Sequence, residues 1–252
     1  MFKKIKVILL MAIFILSVAL TSVLYAAQNP DFKSYKEVFL PINEKDAKLT
    51  ITAEEVPDAA GYVYLFSTIK EAKLEEVQAE ENVLVNNTPE KKKIGSVDCL
   101  AFKVLDKEKP IKLKVSFMVP NFYSIKNEAA EESTGPGGTY RVSYSFTCPV
   151  ASGIDTYSLK ILLPENNEIL TVTAPKTYEI GMEGKNRYIL VNMKGKEGKK
   201  GLSFAESVSM DFVIKKESTT KNILVWIVSL GIAATFLVFN KKQLGEEGKE
   251  VS

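Results

Sequence analysis

Histidine is missing from the whole chain of 252 residues. With it go the usual general base, a common metal ligand and an axial ligand for haem. Ser-His-Asp and Cys-His nucleophile systems cannot be built, nor can c-type haem attachment through C-x-x-C-H. Most zinc sites are lost with them. Cysteine occurs only at Cys99 and Cys148, and tryptophan only at Trp226. No large charge of one sign is present either. The formal net charge of +2 misleads, because residues 1–27 hold three Lys and no acid, which leaves 30 basic against 31 acidic residues in the remainder. No basic field speaks for nucleic acid, so no nucleic-acid partner is expected.

Long apolar runs are present twice. The opening MFKKIKVILLMAIFILSVALTSVLYAAQNP has a positive start at Lys3, Lys4 and Lys6, an apolar stretch from Val7 to Leu20, and small residues at Ala26 and Ala27. That is the layout of a secretory signal peptide over 1–27. Leu24 or Tyr25 stands where a small residue would complete an A-x-A cleavage site, and Val7–Ala27 is long enough to be an uncleaved signal anchor instead. The closing run, Ile223–Phe239, has no charge and no proline, and the sequence predicts a transmembrane helix over 223–239. Trp226 falls near its outer end, at headgroup level, and Lys241 and Lys242 mark the cytoplasmic side. Gly231 and Thr235 form a weak small-xxx-small pair for helix association. Either reading of the N-terminus gives one topology, and with cleavage a single-pass protein of the cell membrane: about 28–222 outside, 217–222 a short juxtamembrane linker, and 240–252 a cytoplasmic tail.

Between the two runs the pattern is β. In TYRVSYSFTC, Tyr140, Val142, Tyr144, Phe146 and Cys148 alternate onto one face, and in SVSMDFVIKK so do Val208, Met210, Phe212 and Ile214. Further strands read from EVFLPI, AKLTITA, GYVYLFST, NVLVNN, VDCLAFKV, IKLKVSFMVP, TYSLKILLP, ILTVTAP, TYEIGM and RYILVNM, with turns at PENNE and EGKN. TIKEAKLEEVQAEEN is expected to be a loop or a short surface helix, since its apolar residues are sparse. The expected fold class is mainly β: an antiparallel β-sandwich, as one large unit or two small immunoglobulin-like ones. The acidic, glycine-ended segment 127–139 separates an N-terminal region, 28–126, from a C-terminal region, 140–216.

Candidate sites are few. Two cysteines in an exported domain suggest one Cys99–Cys148 disulfide. The loop KGKEGKKG offers Lys194, Lys196, Lys199 and Lys200 for an anion or a lipid headgroup, although a solvated hairpin loop explains it as well. Carboxylate doublets at Glu54–Glu55, Glu75–Glu76 and Glu131–Glu132 do not make an acid/base pair by adjacency, because neighbours on a strand point to opposite faces. A Ser-Lys dyad needs no histidine, but Ser34 and Lys36 lack the strand-to-helix setting it uses. The sequence therefore leads to a protein that is not an enzyme, without cofactor or metal. It would be held by the bilayer through 223–239 and would meet a protein or surface-polymer partner near the membrane. The alternatives are an accessory subunit of a membrane transport, secretion or respiratory complex, and an envelope hydrolase using carboxylates.

Overall fold

The computed structural model describes residues 30–66, 69, 71–94, 97–123, 139–196, 198–216, 223 and 225–236. Thirteen strands follow one another: β1 (Asp31–Pro41), β2 (Ala47–Val56), β3 (Tyr62–Leu65), β4 (Lys73–Glu80), β5 (Glu90–Ile94), β6 (Val97–Lys103), β7 (Ile111–Val119), β8 (Thr139–Thr147), β9 (Ile154–Leu162), β10 (Asn167–Ala174), β11 (Glu179–Glu183), β12 (Asn186–Lys194) and β13 (Ser207–Lys216). A helix, α1, is described at 223 and 225–236.

The chain is mainly β, in several sheets. Seven strands form one sheet in the order β11-β12-β9-β1-β2-β7-β4, and two three-stranded sheets, β10-β13-β8 and β3-β6-β5, complete the set. Period-two alternation builds the seven-stranded sheet. Along β2, Ala47, Leu49, Ile51, Ala53 and Glu55 are buried while the residues between them face outward. On β1 a bulge between Phe32 and Ser34 brings both Phe32 and Tyr35 onto the inner face, followed by Glu37 and Phe39. The two smaller sheets lie side by side on that inner face. Phe146 of β8 stacks on Tyr35 and Tyr157, with ring centroids 5.2 and 5.0 Å apart. Beyond β3, Phe66 takes a hydrogen bond from the Tyr35 hydroxyl at its carbonyl oxygen, 2.7 Å away. One hydrophobic core runs beneath both covers.

Two expectations change. The large sheet is mixed rather than antiparallel, because β1 and β9 pair in parallel, Phe32 with Ile154 through Phe39 with Ile161. Both are central strands with a buried inner face, the setting that parallel pairing needs. The strands before and after the segment 127–139 share one sheet, β1, β2, β4 and β7 with β9, β11 and β12. The stretch expected as a loop or helix holds edge strand β4, aligned on β7 through Val77 opposite Val115 and Ala79 opposite Leu113. Residues 1–29, with the signal-peptide expectation, lie outside the described residues, as do Lys241 and Lys242. Of the span expected over 223–239, residues 223 and 225–236 are described and helical while 237–239 lie outside the described residues, and no helix among the described residues is long and apolar enough to cross a membrane.

Candidate functional site

The lysine loop follows β12. Lys194 closes that strand opposite Thr156, and Lys196 and Lys199 bridge across the loop, with Gly198 at its tip in a left-handed conformation. Asp155 organises the base: its carbonyl oxygen accepts from the Gly195 and Gly201 amides at 2.8 and 3.2 Å. A side chain at Gly201 would meet the Met193 and Asp155 carbonyl oxygens at 2.4 and 2.6 Å, so the close backbone approach requires glycine there. Lys196, Lys199 and Lys200 face an open pocket of about 470 Å³. Its charge is partly spent, because Lys200 pairs with Asp155 at 2.6 Å and Asp31 at 3.5 Å. The Asp155 carboxylate raises the Lys200 ammonium above its ordinary value. Lys194, Lys196 and Lys199 remain exposed. The loop is thus a basic surface contact without a buried donor.

Its position matters more than its chemistry. Lys194 stands beside the start of β9. The last residue of β13, Lys216, pairs with Asn167, just past the end of β9, and bonds the Glu44 carboxylate. The nine residues of β9 span roughly 30 Å. The lysine loop and the C-terminal exit are therefore at opposite ends of the sandwich. For both to meet one bilayer, the strands must lie along its surface.

The cysteines do not pair: both are free thiols. Cys99 sits in β6 and bonds the Lys92 carbonyl at 3.3 Å, whereas Cys148 follows β8 in the other small sheet and bonds the Val150 carbonyl at 3.7 Å. Each is packed into its own half of the core, so the bridge expected from their count is not formed. Burial pushes the Cys99 thiol up to about 11 and raises that of Cys148, which leaves little thiolate for reaction.

Sequence reasoning missed two wholly buried carboxylates. Glu37, on β1, receives the Tyr144 hydroxyl on Oε1 and the Tyr157 hydroxyl on Oε2, both at 2.6 Å. Burial lifts its carboxyl to about 7, against the pull of the two phenols. Glu55, on β2, accepts the Tyr64 amide at 3.0 Å on both oxygens. Burial raises it too, with the nearby Asp58 charge adding to the rise. The signal was present in the sequence: Tyr35-x-Glu37-x-Phe39 and Ile51-x-Ala53-x-Glu55 put an acid in register with an apolar face. Glu37 lies within the packed core and both of its oxygens already accept phenol hydrogens, so it serves as a tie between sheets rather than as an acid or base for substrate.

The doublets separate as strand geometry requires in one case and not in another. Glu54 faces outward, 3.9 Å from Lys33, while Glu55 is buried. Glu75 and Glu76 both reach Lys48 at 3.9 Å, because the register shifts between Leu74 and Glu76. Glu131 and Glu132 lie outside the described residues. Among the described residues no three His, Cys, Asp or Glu side chains converge to hold a metal ion. On α1, Trp226 is exposed and Gly231 has open space around its Cα, while the Thr235 hydroxyl donates to the Gly231 carbonyl at 2.7 Å.

No protein family and no curated protein sequence matches the chain. Among solved structures it is similar to an M1 zinc metallopeptidase from Deinococcus radiodurans, at 8% identity and a TM-score of 0.37 over 74% of this chain and 42% of that one. It is also similar to a putative protease from Parabacteroides distasonis, at 7% identity and a TM-score of 0.41 over 75% of this chain and 40% of that one. The chain thus spans about two fifths of the length of these proteins. Likenesses this faint transfer no activity.

Proposed function

We propose that this chain is a single-pass, membrane-anchored protein of the cell envelope. Its β-sandwich lies outside and binds or scaffolds a partner close to the membrane, without catalysing a reaction. The observation that carries the reading is the surface of α1. Every described side chain from 223 to 236 is exposed, and Val225, Trp226, Ile227 and Val228 clothe all its sides in succession. A helix that is apolar all round needs an apolar surrounding. Fourteen residues reach about 21 Å, and in the sequence the apolar run continues to Phe239 before Lys241 and Lys242. The span proposed is therefore 223–239, with Trp226 at the outer headgroups and the two lysines inside. Residues 217–222 extend roughly 20 Å at most, which keeps the sandwich and its partner at the membrane surface.

Membrane fractionation tests the anchor. The full chain, tagged after Ser252, should sediment with membranes, resist alkaline extraction and expose its tag to protease only after lysis. Truncation before Ile223 should release it. A full chain extracted by alkali sinks the reading. Crosslinking in cells followed by purification in mild detergent then tests the partner: a fixed set of integral membrane proteins would make the chain a complex subunit.

A further inference from the structure

The seven-stranded sheet overhangs its cover on one side. Among the described residues, edge strand β11 pairs only with β12, Ile180 opposite Ile189 and Met182 opposite Arg187. Ile189 is buried, so Ile180 and Met182 face the same inner side, yet they are 53% and 59% exposed. Tyr178 continues the row and is exposed too. The strand is flat: its register with β12 runs from Glu179 to Glu183 without a bulge, and it contains no proline. An apolar, regular edge with free backbone groups is a template for one more strand.

We infer that β11 pairs antiparallel with β11 of a second copy, with Ile180 on the two-fold axis. The sequence EIGME fits itself in this register. Ile180 meets Ile180 and Tyr178 meets Met182, so an apolar row crosses the joint on the inner face. On the outer face Glu179 meets Gly181, whose Cα is covered by the Tyr188 ring, and no like charges stand opposite. The neighbouring register centred on Gly181 would set Glu179 against Glu183 twice, so charge selects the first. The contact is isologous and closes at two copies. Glu183 is already bonded to Lys160 of the same chain and does not hinder it. A two-fold axis normal to the sheet runs the strands of the two copies in opposite directions, so two C-terminal exits meet one bilayer only when the strands lie along it. That is the posture which also brings the lysine loop to the surface. The pairing does not depend on the anchor, and extraction of the chain by alkali would leave it standing.

Two variants of the full chain in mild detergent test it. In the pair, Ile180 Cα atoms would be about 4.5–5.5 Å apart, within disulfide range. Ile180→Cys should therefore crosslink to a dimer on mild oxidation, while Leu74→Cys on the opposite edge should not. Ile180→Lys puts like charges face to face and should weaken dimerisation at least tenfold, by light scattering, without changing the thermal transition of the fold. A monomeric parent chain overturns the inference. So does a dimer that survives Ile180→Lys, which would place the contact elsewhere, such as on α1. Crosslinking of the introduced cysteine to a different protein would assign the edge to a foreign strand and overturn it equally.

Discussion

The two halves of the sandwich solve the same problems differently. Beneath β10-β13-β8 lies Glu37, held by two phenol hydroxyls amid the stacked rings of Tyr35, Phe146 and Tyr157. Beneath β3-β6-β5 lies Glu55, held by one backbone amide of β3. Side-chain donors are set by packing, and backbone donors by strand register, so the first carboxylate depends on the jigsaw and the second on the ladder. The edges differ as well. On the second half β4 carries a bulge and is lined with charge, Lys48 near Glu75 and Glu76, and Lys112 bonded to Glu80 at 2.9 Å. On the first half β11 has no bulge, while both edges share an apolar inner row, Val77 and Ala79 on β4 and Ile180 and Met182 on β11, with acids on the outer row. The bulge interrupts β4 and nothing interrupts β11, which marks β11 as the edge where association is tolerated.

For all these differences the halves share one sheet and one core, and the largest expected effect tests whether they unfold as one cooperative unit. Phe146→Ala removes a fully buried ring from the first half and Phe102→Ala one from the second. Each should cost about 3–5 kcal/mol, read from denaturant unfolding. Because the halves share the seven-stranded sheet, fluorescence and circular dichroism should still move together in both variants. Separate transitions in either variant would divide the sandwich into two folding units.

Next in size is the carboxylate beneath the aromatic half. Folded Glu37 titrates near 7, against 4.5 when unfolded, so the folded chain keeps a proton that the unfolded chain gives up. Its contribution to stability is complete below about pH 4.5 and is lost as pH rises through 7, a change of about 3 kcal/mol. Glu55 is raised as well and acts with the same sign. Glu37→Gln, which cannot ionise, should match the parent in acid and exceed its stability at pH 8. Of the phenols around Glu37, burial raises Tyr35 and Tyr157 above their ordinary value, out of that window. A difference between variant and parent that stays constant from pH 4.5 to 8 would remove Glu37 as the titrating group.

How much of this could be read in the sequence follows from where the strands sit. The faces Val142-Tyr144-Phe146-Cys148 and Val208-Met210-Phe212-Ile214 are buried as their alternation predicts, because both strands have one wet face and one dry one. β4 and β5 escape the pattern: KLEEVQAE and EKKKI are polar nearly throughout, and their neighbours' hydrogen bonds rather than apolar faces make them strands. The reverse holds for NVLVNN, which looks like a strand but contributes only the bridge of Leu84 with Val104. The parallel pairing of β1 with β9 joins residues 122 positions apart, Phe32 and Ile154, and no local pattern records it. The two free thiols have a like explanation. Their number says nothing of which sheet each enters.

The smallest effect on stability, and the sharpest on the edge comparison, comes from removing the guard on β4. Glu76 and Glu80 are exposed, and their partners Lys48 and Lys112 are surface lysines whose ion pairs add little to folding. Glu76→Val with Glu80→Val should therefore leave the unfolding midpoint where it is. It removes two acids from the outer row of β4, leaving Gln78 between two valines there, while Val77 and Ala79 already make the inner row apolar. The bulge between Leu74 and Glu76 remains, however, and it keeps one end of the strand from lying flat. If charge is the main guard, the double variant should form chains of copies joined through both edges, and light scattering should rise with concentration beyond a dimer. If the bulge is the main guard, scattering should stop at the dimer. In that case the difference between the two edges lies in backbone geometry, and the flatness of β11, more than its isoleucine and methionine, makes it the pairing edge.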